Sequence, residues 1–182
     1  NSLLWKIEGN GIKTSYVYGT FHLLPQSDFH VSEGVKNAIQ ASDQIIMELD
    51  MDDPQMQMQL MQNMAMKDGN SLKSMMKKNT YIKLDSIMKA TMGASIVAFD
   101  KVKPFFVASM LIPTMIEGKI ASYEGTFVQM AQEQKKEILG LETVADQMGI
   151  FDEIPYQQQA DELTDLVEDK AKAMKIFAQM IK

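Results

Sequence analysis

Three places in this sequence bring an apolar, strand-like run up to a side chain able to do chemistry. Residues 13–18 lead into Gly19-Thr20-Phe21-His22, residues 45–49 pass through Glu48-Leu49 to Asp50, and residues 138–141 pass through Gly140-Leu141 to Glu142-Thr143. In α/β sheets, functional groups gather beyond the carboxyl ends of strands, where loops converge. One imidazole with carboxylates is a partial ligand set for a divalent metal, and the same groups serve as general base and acid. Gly19 allows close backbone approach and leaves His22 free to point into a cleft. Each residue also has a plainer reading. His22 fits equally well as a hydrogen-bonded histidine at a strand end, Glu48 as a solvated loop carboxylate, and Glu142 as a charge that favours a helix N-terminus. His30 follows Asp28 closely and lies outside any Gly-x-x-His spacing, so it reads as a surface residue.

The elements that must position these residues follow from local pattern. Leu3 to Ile7 and Lys13 to Tyr18 are β-prone, and Gly9-Asn10-Gly11 between them tolerates positive φ, which predicts an N-terminal hairpin. A helix is predicted from about Val31 to Ser42, with Val35, Ala38 and Ile39 on one face, followed by a strand from Ile45 to Leu49. Residues from about 54 to 118 read as mostly helical, with breaks near Gly69, Asn79, Gly93 and Pro104. A helix over about residues 123–134 and a strand over 138–141 repeat the helix-then-strand order, and Thr143 with Asp146 signals a further helix start. From Pro155 to Lys182 one amphipathic helix is expected, with Ala160, Val167, Met174 and Ile181 seven apart, joined by Leu163 and Phe177. The expected fold class is α/β: a central mixed sheet that begins with the hairpin and is covered by helices, with the helical stretch as an insertion in a single domain.

Composition narrows the function. The 182 residues carry a formal net charge of −6, and every basic residue is lysine. Nucleic-acid binding needs a cationic stripe, so no nucleic-acid partner is expected. Cysteine is absent, which excludes disulfides, thiolate metal sites and a cysteine nucleophile. No apolar run reaches the roughly 18 residues of a spanning helix. No Gly-x-Ser-x-Gly, GxxxxGK or GxGxxG occurs, so serine-hydrolase, phosphate-loop and dinucleotide chemistries have no foothold. Met56, Met58, Met61, Met64 and Met66 invite a copper(I) reading, although methionine more commonly fills irregular cores and adaptable surfaces.

Leu4-Trp5-Lys6-Ile7, Tyr18-Gly19-Thr20-Phe21-His22-Leu23, Ile46-Met47-Glu48-Leu49-Asp50 and Gly140-Leu141-Glu142-Thr143 with Gln147 resemble the TraB/GumN family in order and spacing. That family is related to the TIKI proteases and is grouped with erythromycin-esterase-like and ChaN-like folds. The resemblance runs from the first strand to about Gln159. It implies a divalent-metal site of manganese or cobalt type supporting peptide hydrolysis, and a cell-envelope or extracytoplasmic setting. Carried over by motif, His22 and Glu48 match metal-site residues, Glu142 matches the glutamate of the later motif, and Glu124 stands where relatives often carry an acidic residue. Relatives have a second Gly-x-x-His near their C-terminal end and this chain has none, so the implied site is expected to be incomplete here, either because the chain is cut before that motif or because it is a degenerate member.

The expected function is therefore a metal-dependent hydrolase, a peptidase, with His22, Glu48 and Glu142 as catalytic residues and His22 and Glu48 as metal ligands. Its partner would be a peptide or small-molecule substrate. The alternative is a non-enzymatic protein that captures a peptide signal or another apolar ligand. Carboxylates and an imidazole converging on a pocket favour the first, and a methionine-lined cleft far from His22 favours the second.

Overall fold

Asn10 and Gly11 both adopt positive φ, 49° and 75°, and this gives the first turn the twist that two antiparallel strands need. The strands it joins are β1 (Leu4–Gly9) and β2 (Ile12–Tyr18), paired in the register Leu4 with Tyr18 and Trp5 with Val17. The computed structural model describes residues 3–180, with side chains through Lys175. The chain continues through β3 (Leu24–Pro25), α1 (Glu33–Ala41), β4 (Gln44–Met47), α2 (Met56–Asn63), α3 (Leu72–Met75), α4 (Lys78–Met92) and α5 (Pro104–Met115). It then forms β5 (Ile120–Ala121), α6 (Tyr123–Glu133), β6 (Glu137–Gly140), α7 (Val144–Asp152), α8 (Tyr156–Glu168) and α9 (Lys170–Met180). The fold class is α/β with an N-terminal hairpin, and the described strands form three two-stranded sheets: β1 with β2, β3 with β5, and β4 with β6.

The described residues group into two compact units. The first takes the chain up to Met56 together with Gly118–Thr143. Its β4 and β6 pair in parallel, Gln44 opposite Glu137 and Met47 opposite Gly140, and Met47, Ala131 and Ile138 form a small buried core beneath them. Helix α1 buries Val35, Ala38 and Ile39, the face its spacing predicts, and Ser32 caps its start by accepting from the Val35 amide. Its far end is held by Lys136, whose ammonium donates to the carbonyls of Ile39, Gln40 and Ser42 at 2.5, 2.8 and 2.5 Å. A cation at a helix C-terminus meets the negative end of the dipole, and three acceptors use all three of its donors. Helix α6 buries Tyr123, Phe127 and Ala131 four residues apart, and Tyr18 and Phe29 pack against Tyr123 with ring centroids 5.5 and 4.7 Å away.

The second unit takes Gln57–Glu117 and the chain from Val144 onward. Its core collects Leu72, Leu84, Met88, Ile96, Val107 and Leu111 with Leu163 and Val167 of α8. Buried polar groups here are matched. Gln159 donates to the Phe151 and Ile154 carbonyls and accepts from the Phe105 amide, and the buried Lys103 ammonium meets Asp152 at 2.5 Å. The methionines divide: Met66, Met76, Met88 and Met115 are core, whereas Met58 and Met61 of α2 are exposed.

The amphipathic stretch after Pro155 is two helices rather than the one its spacing predicts. Asp169 interrupts it with φ −130° and ψ 72°, and its carboxylate accepts from the Lys172 amide at 2.9 Å, so a residue that caps a helix start opens α9. Ile181 lies outside the described residues, as does the side chain of Phe177.

Candidate functional site

The hairpin delivers His22. The Gly19 amide donates to the Leu3 carbonyl at 3.0 Å, extending the β1–β2 ladder by one bond, and the chain then turns away through Thr20 and Phe21. Strand β4 delivers Glu48 immediately after Met47. Helix α6 delivers Glu124 in its first turn, where the positive end of the helix dipole favours a carboxylate.

These three side chains meet around one imidazole. Glu124 Oε1 lies 3.1 Å from His22 Nδ1, and Glu48 Oε2 lies 3.8 Å from His22 Nε2. An ionised carboxylate only accepts hydrogen bonds, so the proton on the Glu124 side sits on Nδ1; in the neutral ring this leaves Nε2, on the side of Glu48, as the nitrogen that accepts. Glu124 is itself fixed at both oxygens: Thr20 Oγ1 donates to Oε1 and Ser122 Oγ to Oε2, each at 2.7 Å. Burial alone would push its carboxyl upward. The hydroxyls of Thr20 and Ser122, its own backbone amide and the neighbouring imidazole outweigh that and hold it below its ordinary value. The Glu124 side chain is 18% exposed, against 69% for His22 and 63% for Glu48, so the orienting carboxylate is shielded while the imidazole it orients is open.

Glu142 approaches by its main chain. Its amide donates to the Glu48 carbonyl at 3.0 Å, and the Leu141 amide to the Met47 carbonyl at 2.9 Å, so the β4–β6 pairing runs past both strands and ties the two carboxylate-bearing segments together. Among the described residues, the Glu142 side chain makes no hydrogen bond or ion pair with His22 or Glu124. Gly140 permits the approach. A Cβ there would stand 2.7 Å from the Asp50 amide nitrogen and 3.2 Å from the Leu49 carbonyl carbon, both rigid backbone. His30 is exposed, and only its carbonyl takes part, accepting from the Tyr123 hydroxyl at 3.1 Å.

The family model for TraB/PrgY/gumN matches residues 3–182. The chain belongs to this family. No curated protein matches it, and no solved structure does.

A divalent ion in this TraB/PrgY/gumN member would find two donors facing one another, His22 Nε2 and the Glu48 carboxylate. Among the described residues, no group of three or more histidine and acidic side chains is arranged to hold a metal ion. The pair suits two coordination positions and falls short of a full set, since protein sites for such ions use at least three protein donors or borrow the rest from water and substrate. Thr20 and Ser122 are the members of this cluster that pattern reading passed over. Ser122 carried a signal, a serine directly before a helix, which marks an N-cap; here its hydroxyl accepts from the Gly125 amide as well as donating to Glu124. Thr20 carried none beyond its place two residues before His22.

Proposed function

We propose that this protein is a hydrolase of peptide bonds in which His22 is the proton-handling residue. The observation that carries the reading is the histidine set between two carboxylates, with a shielded Glu124 on Nδ1 and a solvent-exposed Glu48 on the Nε2 side. A buried partner on one ring nitrogen fixes tautomer and orientation, raises the basicity of the other nitrogen and stabilises the imidazolium that forms when it takes a proton. In this arrangement Nε2 accepts the proton of a water placed between His22 and Glu48, and the water oxygen attacks the substrate carbonyl. The proton then passes from Nε2 to the departing amine. Glu48 orients the water and disfavours anionic groups beside it. A divalent ion of manganese or cobalt type, if bound by His22 Nε2 and Glu48, would occupy the lone pair that otherwise acts as base and would in its place supply carbonyl polarisation and a more acidic water.

The alternative of ligand capture without chemistry draws on an apolar cleft of about 510 Å³ in the same unit. Thr20, Glu48 and Glu124 line that cleft together with Met47, its one methionine among the described lining residues, so it adjoins the polar cluster. A binding pocket whose lining includes both carboxylates that flank His22 favours hydrolysis over capture.

The test is peptide cleavage by the protein with and without manganese or cobalt, followed by mass spectrometry of new chain ends, with His22→Ala as control. The variant is expected to lose about 100-fold or more of the rate. Equal cleavage by both proteins would remove the proposal.

A further inference from the structure

The methionine run from Met56 to Met66 takes no part in the chemistry placed at His22, and its thioethers divide by position. Met66 is core and Met56 and Met64 are half-buried, whereas Met58 and Met61 are 54% and 67% exposed. Helix α2 half-buries Met56, Gln59, Leu60 and Asn63 and leaves Gln57, Met58, Met61 and Gln62 in solvent. Met58 and Met61 stand three residues apart, and on a helix surface such side chains are neighbours with Cβ atoms about 5–6 Å apart. The backbone is fixed just downstream, where the Met64 carbonyl accepts from the Lys103 amide at 2.9 Å and Ala65 bridges Val102. The eight residues of α2 include no buried residue and no charged one. A helix this short is marginal by itself, so a ligand that joins two side chains across one turn would stabilise it.

We propose that Met58 and Met61 hold one soft monovalent cation, copper(I), between their Sδ atoms. Thioethers are soft donors that select copper(I), whereas manganese, magnesium and calcium take oxygen. With metal–sulfur bonds of about 2.3 Å, two sulfurs across one ion stand about 4.6 Å apart, a span that two flexible methionine side chains rooted about 5–6 Å apart reach. A closed-shell d10 ion accepts two donors in line, and the amides of Gln57 and Gln62 on the same face are neutral, so the pair needs no further ligand. A thioether carries no proton to release, in contrast to an imidazole or a carboxylate. The site therefore keeps its affinity at acidic pH, where His22 and Glu48 lose theirs, and it is chemically distinct from the pair they form.

The experiment is anaerobic titration of the full chain with copper(I) kept soluble by acetonitrile, read by calorimetry, and with silver(I) as the redox-silent probe, read by NMR. Loss of even an outer partner of a metal ligand costs about 10–100-fold in affinity, so Met58→Leu or Met61→Leu is expected to weaken copper(I) binding about 100-fold or more. Leucine matches methionine in helix propensity and both positions are exposed, so folding is spared. Silver(I) is expected to shift the ε-methyl signals of Met58 and Met61. Affinity should be level from about pH 5 to 7, across the imidazole range, and unchanged by His22→Ala. No uptake by the parent overturns the proposal, as do uptake that survives the double leucine variant, shifts confined to other methionines, or binding lost with His22→Ala.

Discussion

Replacing Glu124 tests the arrangement at its anchor. Its carboxylate serves three donors at once, Thr20 and Ser122 at 2.7 Å and His22 Nδ1 at 3.1 Å. A hydrogen bond to a charged group contributes about 1.5–3 kcal/mol when shielded and much less when both partners can return to water. Thr20 and His22 are exposed, so their donors rehydrate, while Ser122 is half-buried and does so less readily. Glu124→Ala is therefore expected to destabilise the protein by only about 2 kcal/mol in urea unfolding. Function should fall further, because losing the partner that orients a working imidazole costs about 10–100-fold. Glu124→Gln keeps one acceptor oxygen without the charge and should fall between. The decisive assay is long-range ¹⁵N–¹H NMR of the His22 ring. The parent protein should show Nδ1 protonated, and the alanine variant should revert to the tautomer mixture of a free histidine. If the alanine variant keeps the Nδ1-protonated form, Glu124 does not set the tautomer and the proton path drawn through Nε2 fails.

Gly140→Ala forces a Cβ to 2.7 Å from the Asp50 amide nitrogen, and about 1–3 kcal/mol of stability should be lost together with the amide shifts of residues 48–50; a variant as stable as the parent contradicts that packing. Asp152→Ala strands the Lys103 ammonium, 2% exposed, and should cost about 3 kcal/mol by thermal denaturation, whereas the double variant with Lys103→Met should recover most of it; equal melting of single and double variants would count against a buried pair. The Glu124 carboxyl is depressed in the folded state, so its contribution is present in full above the ordinary carboxylate range and is lost as pH falls through the lowered folded value. The advantage of the parent over Glu124→Gln should therefore persist down to the ordinary carboxylate range and shrink on further acidification through the lowered folded value, as read by unfolding at each pH.

Local features were legible in the residues because their causes are local. Gly9-Asn10-Gly11 announces its turn, and Val35, Ala38 and Ile39 announce the buried face of α1. His22 and Glu48 could be singled out as strand-end residues, and their 3.8 Å approach follows from where those strands finish. Glu124 entered only through family resemblance, since its partners Thr20 and His22 lie far back in the chain and no periodicity reports a contact across that separation. The roles of Lys136 and Gly140 are hidden for the same reason: each is defined by backbone that arrives from another stretch of sequence. Asp169 is the opposite case, a local helix-start signal that breaks the stretch although the heptad spacing continues on either side of it.

The interleaving of the two units bears on how the polypeptide is made. Strand β4 leaves the ribosome long before β6, its only partner among the described residues, and the stretch synthesised between them needs Leu163 and Val167 to complete its own core. Neither unit can close until its late piece emerges, and such distant pairings carry a loop-closure cost that slows folding. During translation the nascent chain therefore holds two half-built cores open at once, with apolar surface of both uncovered until the late pieces arrive.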